Sequence, residues 1–321
     1  MSVHNVRFRR YSLNKNAHLK DATAIAKHYL KRWKIECAFK HLKTNGFNIE
    51  NANLKSDLKM ELLQTYQSLN LSQNLDYDKF SWYAITHLST SVEGSTLTEI
   101  ETNLLLDEGL TPKGKPIEHS LMTIDRAKAL LFVIEKASAN TLLTIEFIQH
   151  INALVMSKTG SMYYTVLGDI DSSKGSFRKE NVVASNRYFP NYDKVEVLTT
   201  KLIEAIVCKL KTTLTVTEQL ELAFDTHFDL VSIHPFYDGN GRTSRLLMNY
   251  IQLYYKLPMS FVFKEDKVDY IQALEDARSK EDLKPFRDFM TEQYIKFLTQ
   301  EIQNYKSINK KNNGNGFSMI F

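Results

Sequence analysis

The chain has 321 residues, of which 43% are hydrophobic and 24% charged, with a formal net charge of +4. This size and apolar content exclude a disordered segment and a disulfide-held miniprotein, because the chain can bury a sizeable core. Its two cysteines, Cys37 and Cys208, cannot build a disulfide framework or a four-thiolate metal site. No apolar run approaches the roughly 18 residues that cross a bilayer, and the first residues lack the apolar core of a secretory signal. We therefore expect a soluble, cytoplasmic protein without a membrane partner.

The charge is distributed unevenly along the chain. Residues 1–60 contain 13 Lys and Arg against 4 Asp and Glu, whereas the remaining residues contain 28 against 33. A basic arm of this kind can bind nucleic acid or another polyanion. It is equally typical of a solvated helix face, so both interpretations stay open.

Eleven glycines and six prolines are few for this length and favour long helices over a turn-rich sandwich or barrel. Helical periodicity predicts helices over residues 21–44, 77–93, 124–137, 144–156, 195–211, 218–233, 242–255, 268–279 and 283–305. One hairpin is predicted over 176–189, with a turn at Ser185-Asn186. Asn-rich residues near 52–60 interrupt the periodicity and predict a boundary. We divide the chain into a basic helical segment (1–60), a main domain (61–305) and a flexible tail (306–321).

The most informative segment covers residues 233–245, with the sequence IHPFYDGNGRTSR. Pro235 cannot continue the preceding helix in the usual hydrogen-bonded way, so the chain must leave that helix there. Gly239 and Gly241 allow backbone N–H groups to point inward, and a new helix begins near Arg242. A glycine-rich turn that leads into a helix N-terminus predicts an anion site.

The side chains of this segment suit a polyphosphate. Arg242 and Arg245 are three residues apart and share a helix face, where their guanidinium groups can bind phosphate. Asp238 suits a Mg²⁺ ion that also touches phosphate. His234 lies at the entrance of the loop and suits a general base. Each element alone is usually structural, but together, in this order and spacing, they are far more specific.

In that order and spacing the segment resembles the signature of the Fic family, His-Pro-Phe-x-(Asp/Glu)-Gly-Asn-Gly-Arg-x-x-Arg, and every fixed position matches. Residues 175–178 (GSFR) and 182–183 (VV) resemble the family's β-hairpin flap, and residues 270–274 (YIQAL) resemble the helix after the motif. The resemblance extends over about 70–298. It implies a mainly α fold, a Fic-type helical bundle with a small β-hairpin flap, to which the N-terminal helical segment is an appendage.

The resemblance also implies an activity, the transfer of AMP from ATP to a Ser, Thr or Tyr hydroxyl of a target protein. By matching position, His234 would take the proton of that hydroxyl and Asp238 would hold Mg²⁺. The nucleotide would be bound by Gly239, Asn240, Gly241, Arg242, Arg245 and Tyr270. Kinase-like relatives carry Lys at the place of Gly241, so a glycine there favours AMP transfer.

The flap, residues 176–189, suggests how a target is chosen. A free strand edge offers N–H and C=O groups to an extended target segment, which would hold its hydroxyl near His234. The alternative is an ordinary surface hairpin. The partners implied are therefore ATP and a hydroxyl-bearing target protein docked on the flap. A homodimer is compatible with the family, whose members often dimerise.

A second motif precedes the first. Residues 89–94 (STSVEG) resemble the family's inhibitory motif, (Ser/Thr)-x-x-x-Glu-(Gly/Asn), placed on the N-terminal side. Ser89 and Glu93 are four apart and share a helix face. The resemblance implies that Glu93 pairs with Arg245 and removes the guanidinium meant for the γ-phosphate. The alternative is a Glu at a helix end before a Gly cap, where the helix dipole disfavours it.

The basic segment carries a weaker resemblance. Tyr29, Arg32, Glu36 and Lys43 lie on broadly one helical face, which resembles the last catalytic helix of a DDE insertion-sequence transposase. There Glu36 would be the third metal-binding carboxylate. Residues 1–20 contain no Asp, so the catalytic set is incomplete. We interpret 1–60 as a relic without cleavage activity; an ordinary helix packed on the main domain is the alternative, and we do not expect DNA binding.

Three classes of function therefore remain. The leading one is an autoinhibited protein adenylyltransferase. The second is another nucleotidyl or phosphoryl transfer by the same site. The third is a DNA-binding regulator, in which the basic arm binds DNA and the Fic-like site senses a ligand. A toxin role is also open, because the targets of the family vary.

Overall fold

The computed structural model describes residues 52–69, 77–184 and 187–312. The chain divides into two units, Met1–Leu58 and Lys59–Phe321. The predicted helix over 21–44 and the four positions Tyr29, Arg32, Glu36 and Lys43 lie outside the described residues. The interpretation of 1–60 as a transposase-like relic stays a prediction, as does the division into three segments.

The described part of the chain contains ten α-helices and two short antiparallel ladders. The helices are α1 (Ala52–Ser68), α2 (Tyr77–Val92), α3 (Glu99–Glu108), α4 (Ile117–Ser138), α5 (Ile145–Val155), α6 (Val195–Leu210), α7 (Val216–Ile233), α8 (Asn240–Tyr254), α9 (Lys267–Ser279) and α10 (Lys284–Asn312). The strands are β1 (Met162–Tyr163), β2 (Ile170–Asp171), β3 (Val183–Ala184) and β4 (Arg187–Tyr188). The mainly α fold with a small hairpin is thus confirmed.

Helix α8 lies at the centre of the bundle and packs against α7, α4 and α5. Its central apolar residues have no exposed surface; they are Leu246, Leu247, Met248, Tyr250 and Ile251. A helix that is buried nearly all round is held by tertiary packing and not by its own propensity. The N-terminus of α8 is therefore a fixed point on which a site can be built.

The structure corrects several predicted boundaries. Residues 52–60, predicted to interrupt the helices, are helical as part of α1. Helix α4 begins seven residues before its predicted start, at Ile117, and α10 continues to Asn312, seven residues beyond its predicted end. Residues 313–321 lie outside the described part.

Helix α3 and the β1–β2 ladder were missed. Thr98 caps α3 and forms a capping box with Glu101, a Thr-x-x-Glu signal that is readable in the sequence. The predicted hairpin is also shorter than expected, because only Val183 with Tyr188 and Ala184 with Arg187 pair as strands. No helix in the described ranges is long and apolar enough to cross a membrane.

Candidate active site

The loop between α7 and α8, residues 234–239, is shaped by two left-handed residues. His234 ends α7 with φ of 53°, and its backbone N–H donates to the carbonyl oxygen of Leu230 at 3.0 Å. Gly239 precedes α8 with φ of 77°. Pro235 explains the end of α7, because it has no N–H for a further helical bond. The loop therefore connects His234 to the N-terminal turn of α8.

The His234 imidazole packs against the flap. Its ring stacks on Phe189 with centroids 3.9 Å apart and planes 22° apart. Burial lowers the pKa of His234 to about 4, and the positive charges of Arg178, Arg187 and Arg278 add to this effect, although the backbone of Val231 opposes it. The ring is consequently neutral near pH 7 and has a nitrogen lone pair that can accept a proton.

Arg178 attaches the flap to this loop. The side chain is buried, and it donates to the carbonyl oxygens of His234 at 2.9 Å, of Glu180 at 2.8 Å and of Pro190. Its backbone N–H donates to the carbonyl oxygen of Pro235 at 2.9 Å. From the sequence, Arg178 could be recognised only as part of the flap pattern, because partners that are backbone carbonyls leave no signal in the sequence.

Two asparagines fix the shape of the loop. The Asn240 amide accepts from the N–H of Phe236 at 3.0 Å and donates to its carbonyl oxygen at 2.8 Å. The Asn152 amide, from α5, donates to the carbonyl oxygen of Asp238 and to the hydroxyl of Thr243. The side chain of Asn240 is thus occupied in the loop, so any contact it makes with an anion would come from its backbone.

Asp238 lies at the open side of the loop, with half of its side chain exposed. One carboxylate oxygen accepts from the N–H of Gly239 at 2.5 Å and lies 3.5 Å from Nη2 of Arg242. The described ranges contain no cluster of three or more His, Cys, Asp or Glu side chains that could hold a metal. A single exposed carboxylate fits Mg²⁺, which usually keeps several waters and binds substrate phosphates as well.

Glu93 and Arg245 meet as the sequence motif predicts. Nη2 of Arg245 donates to Oε1 of Glu93 at 2.5 Å. Arg245 also approaches Ser89, with its Nε 3.4 Å from the hydroxyl and its Nη2 3.4 Å from the carbonyl oxygen. Burial would raise the pKa of Glu93, but the charges of Arg245 and Arg242 outweigh it and hold that pKa below its usual range. We call this contact the Glu93–Arg245 ion pair.

Tyr270 is enclosed beside the Glu93–Arg245 ion pair. Its side chain is buried, and its hydroxyl lies 3.0 Å from Nε2 of His227 and interacts with Arg245. Burial lowers the pKa of His227 to about 3, so this imidazole is neutral. Tyr270 therefore supports Arg245 in the structure, and its predicted contact with nucleotide stays a prediction.

The remaining motif residues gather around the same helix end. Arg242 is buried and extends toward α5, where its Nη1 is 3.4 Å from the carbonyl oxygen of Val155. Gly241 faces the Glu93–Arg245 ion pair, since a Cβ there would lie 2.9 Å from Oε1 of Glu93. A third arginine, Arg126 of α4, reaches Ser89 and was not anticipated from the sequence.

Comparisons with known proteins agree with this geometry. Residues 142–252 match the model of the Fic/DOC family. A relative named protein adenylyltransferase Fic, from Drosophila willistoni, is 26% identical over 215 residues, which are 67% of this chain and 40% of the relative. The relative of that name from Drosophila erecta is 26% identical over 247 residues, which are 76% of this chain and 47% of the relative. The chain thus spans less than half the length of these relatives.

Solved structures show the same fold. A Fic domain containing signaling protein from Bacteroides thetaiotaomicron superposes with a TM-score of 0.67 at 24% identity, covering 78% of this chain and 98% of that one. Fic-1 from C. elegans superposes with a TM-score of 0.64 at 22% identity, covering 80% and 74%. These likenesses establish the Fic fold around the α7–α8 loop.

Proposed function

We propose that this protein is an autoinhibited adenylyltransferase that transfers AMP from ATP to a Ser, Thr or Tyr hydroxyl of a target protein. The observation that carries the proposal is a neutral imidazole, His234, next to a helix N-terminus that is followed by two arginines. Phosphoryl chemistry needs positioning and charge neutralisation more than covalent help from protein side chains. The family match over 142–252 and the relatives named adenylyltransferases support the same activity.

In the proposed reaction, each side chain is given the role that its position in the motif supports. His234 takes the proton of the target hydroxyl, and the hydroxyl oxygen forms a bond to the α-phosphorus. The bond between that phosphorus and the oxygen bridging to the β-phosphate breaks, and pyrophosphate leaves. The N-terminus of α8, with Gly239, Asn240 and Gly241, stabilises charge on the α-phosphate oxygens. Arg242 and Arg245 bind the β- and γ-phosphates.

Asp238 would hold a Mg²⁺ ion. The ion, when bound, neutralises phosphate charge and helps to orient the leaving group. Its carboxylate is exposed at the open side of the loop, where an ion that arrives with the nucleotide can reach it. Nη2 of Arg242 lies 3.5 Å from the same carboxylate. The guanidinium group that would bind phosphate and the carboxylate that would hold Mg²⁺ are therefore adjacent.

The Glu93–Arg245 ion pair supports the proposal that the protein is inactive by default. Arg245 is required to bind the γ-phosphate, and in the structure its guanidinium group is bound to Glu93 instead. ATP must displace Glu93 or bind in a pose unfit for transfer. Gly241 permits this arrangement, because a side chain at that position would meet the Glu93 carboxylate.

The flap is the proposed docking site of the target. Val183 of β3 and Tyr188 of β4 have exposed side chains, and the next residue, Phe189, stacks on His234. A target segment placed along this hairpin would have its hydroxyl close to the base. A homodimer stays a prediction of the family resemblance.

The proposal is tested with the Glu93→Gly variant, ATP and Mg²⁺. Intact-mass measurement should show protein that has gained one AMP, with more product than from the wild type. The Glu93→Gly/His234→Ala variant should gain none. Label from the α-phosphate should reach protein and label from the γ-phosphate should not; the reverse outcome would establish phosphoryl transfer by the same site. Equal labelling of all three proteins would reject the proposal.

A further inference from the structure

A third arginine lies beside the two arginines of α8. Arg126, in α4, is 1% exposed, and its Nε donates to the hydroxyl oxygen of Ser89 at 3.1 Å. The same oxygen lies 3.4 Å from Nε of Arg245. Two buried guanidinium groups therefore converge on one neutral oxygen atom of α2.

The charges around this oxygen do not balance. Glu93 pairs with Arg245, and Asp238 approaches Arg242. Arg126 forms no ion pair with any carboxylate in the ranges that the structure describes, and its Nη1 has no hydrogen-bond partner there. Burial, together with the charges of Arg245 and Arg242, lowers the pKa of Arg126 to about 9, which leaves the group protonated at neutral pH.

A buried cation without a counter-ion costs folding free energy, and native proteins usually pair it. Such a group is expected where an anion is to be bound. The position of Arg126 identifies that anion by chemistry, because its neighbours Arg242 and Arg245 already belong to a polyphosphate site. An oxygen that accepts from two guanidinium groups at once is also what a terminal phosphate presents.

We propose that Arg126 completes the site for the terminal phosphates of ATP. The inference rests on the proposed function. In the inhibited state, a carboxylate oxygen of Glu93 and the hydroxyl oxygen of Ser89 take the places of two phosphate oxygens. When the end of α2 moves away from α8, the γ-phosphate accepts from Arg126 and Arg245 together. AMP lacks these phosphates and makes no use of Arg126.

A different role for Arg126 is to anchor α2 through Ser89 and nothing more. In that case its removal would weaken inhibition of the wild-type protein. It would leave the affinity for ATP unchanged once Glu93 has been replaced. The two roles therefore separate in a background that lacks the inhibitory carboxylate.

The experiment compares Glu93→Gly with Glu93→Gly/Arg126→Met, since methionine is also long and unbranched but has no charge. Calorimetric titration should show ATP binding about tenfold weaker in the double variant, while AMP binding changes by less than about twofold. The thermal midpoint should stay the same or rise, because an unpaired buried charge is removed. Glu93→Gly/Arg126→Lys should recover part of the ATP affinity.

The outcomes distinguish this inference from the proposed function. If the Glu93→Gly protein binds ATP and both variants bind it equally, Arg126 is not part of the phosphate site and the proposed function stands. If ATP affinity, AMP affinity and thermal midpoint fall together, Arg126 is structural and the inference is overturned. If Glu93→Gly binds no ATP at all, the proposed function and the inference are rejected together.

Discussion

Oε1 of Glu93 lies 2.5 Å from Nη2 of Arg245, although 152 residues separate the two in the chain. Glu93 directly follows α2, and Arg245 lies in the second turn of α8. The Arg245 side chain is 2% exposed and that of Glu93 is 31% exposed. The ion pair thus joins a buried guanidinium group to a carboxylate that solvent can reach. The Glu93 side chain can therefore move away into solvent while Arg245 stays in place.

Replacing Glu93 with glutamine should activate the protein and destabilise it slightly. Glutamine keeps the size of the side chain but leaves Arg245 buried without a carboxylate, which we expect to cost about 1–3 kcal/mol. Urea unfolding measures this loss, and labelling with ATP should rise at the same time. Glu108→Gln, at the exposed end of α3, is the matched control and should change neither quantity. Labelling that stays at the wild-type level would contradict the inhibitory role of the pair.

The inhibition should persist at acidic pH. The pKa of Glu93 is held below its usual range, so the carboxylate stays ionised as pH falls through 5. A depressed carboxyl pKa stabilises the fold at pH values above the unfolded pKa, and the stabilisation is lost only below it. We expect the ratio of labelling between Glu93→Gly and wild type to be the same at pH 5.5 and pH 7.5. A ratio near one at pH 5.5 would show that protonation releases Glu93.

The transfer rate of Glu93→Gly should not follow an ordinary histidine titration. Because the pKa of His234 is lowered to about 4, the neutral, proton-accepting form predominates throughout the range from pH 8 to pH 5.5. The rate should stay level over this range and fall only as pH approaches 4. The measurement is a pH profile of AMP transfer at low ATP. A pH profile with its midpoint near pH 6.5 would contradict the lowered pKa, and would mean that water reaches the His234 imidazole during the reaction.

The sequence predicts the α7–α8 loop almost residue by residue, because its determinants are local. Pro235 ends one helix, the glycines permit the turn, and Arg242 with Arg245 share a face by their spacing alone. The pairing of Glu93 with Arg245 could be inferred only from a family resemblance, since nothing local connects positions so far apart. Its geometry agrees with that inference.

The side chains that escaped prediction act through distant partners. Arg178 binds three carbonyl oxygens, and Asn152 binds a carbonyl and a hydroxyl of a segment about ninety residues away. Such contacts depend on the tertiary fold and follow no spacing rule. Helix α1 escaped for another reason: its Asn-rich start has poor helix propensity, so the sequence signal for a helix is weak there. Helix α3, by contrast, could have been found from its capping box.

Removal of the Phe189 ring should expose His234 to water. The ring stacks on the imidazole at 3.9 Å, and burial is the largest cause of the lowered pKa. Phe189→Ala should therefore raise the pKa of His234 toward 6.5, which an NMR titration would measure against the other histidines. Because the imidazole would lose the ring that orients it, we also expect AMP transfer to slow by about tenfold, with ATP affinity unchanged. Phe189→Leu should show a smaller change in both; an unaltered pKa in Phe189→Ala would mean that other contacts keep the ring dry.

The start of the flap depends on a glycine that no other residue can replace. Gly175 has φ of +70°, and a Cβ there would lie 1.9 Å from the carbonyl oxygen of Gln149 in α5. Gly168 also has positive φ, +100°, but its nearest neighbour would be the flexible end of Lys179 at 3.5 Å. We expect Gly168→Ala to cost about 1 kcal/mol from backbone strain, and Gly175→Ala to cost about 3 kcal/mol or more. Urea unfolding of the two variants measures the difference. Since both share the strain of positive φ, an equal loss would show that the close approach to α5 does not fix the flap that carries Phe189.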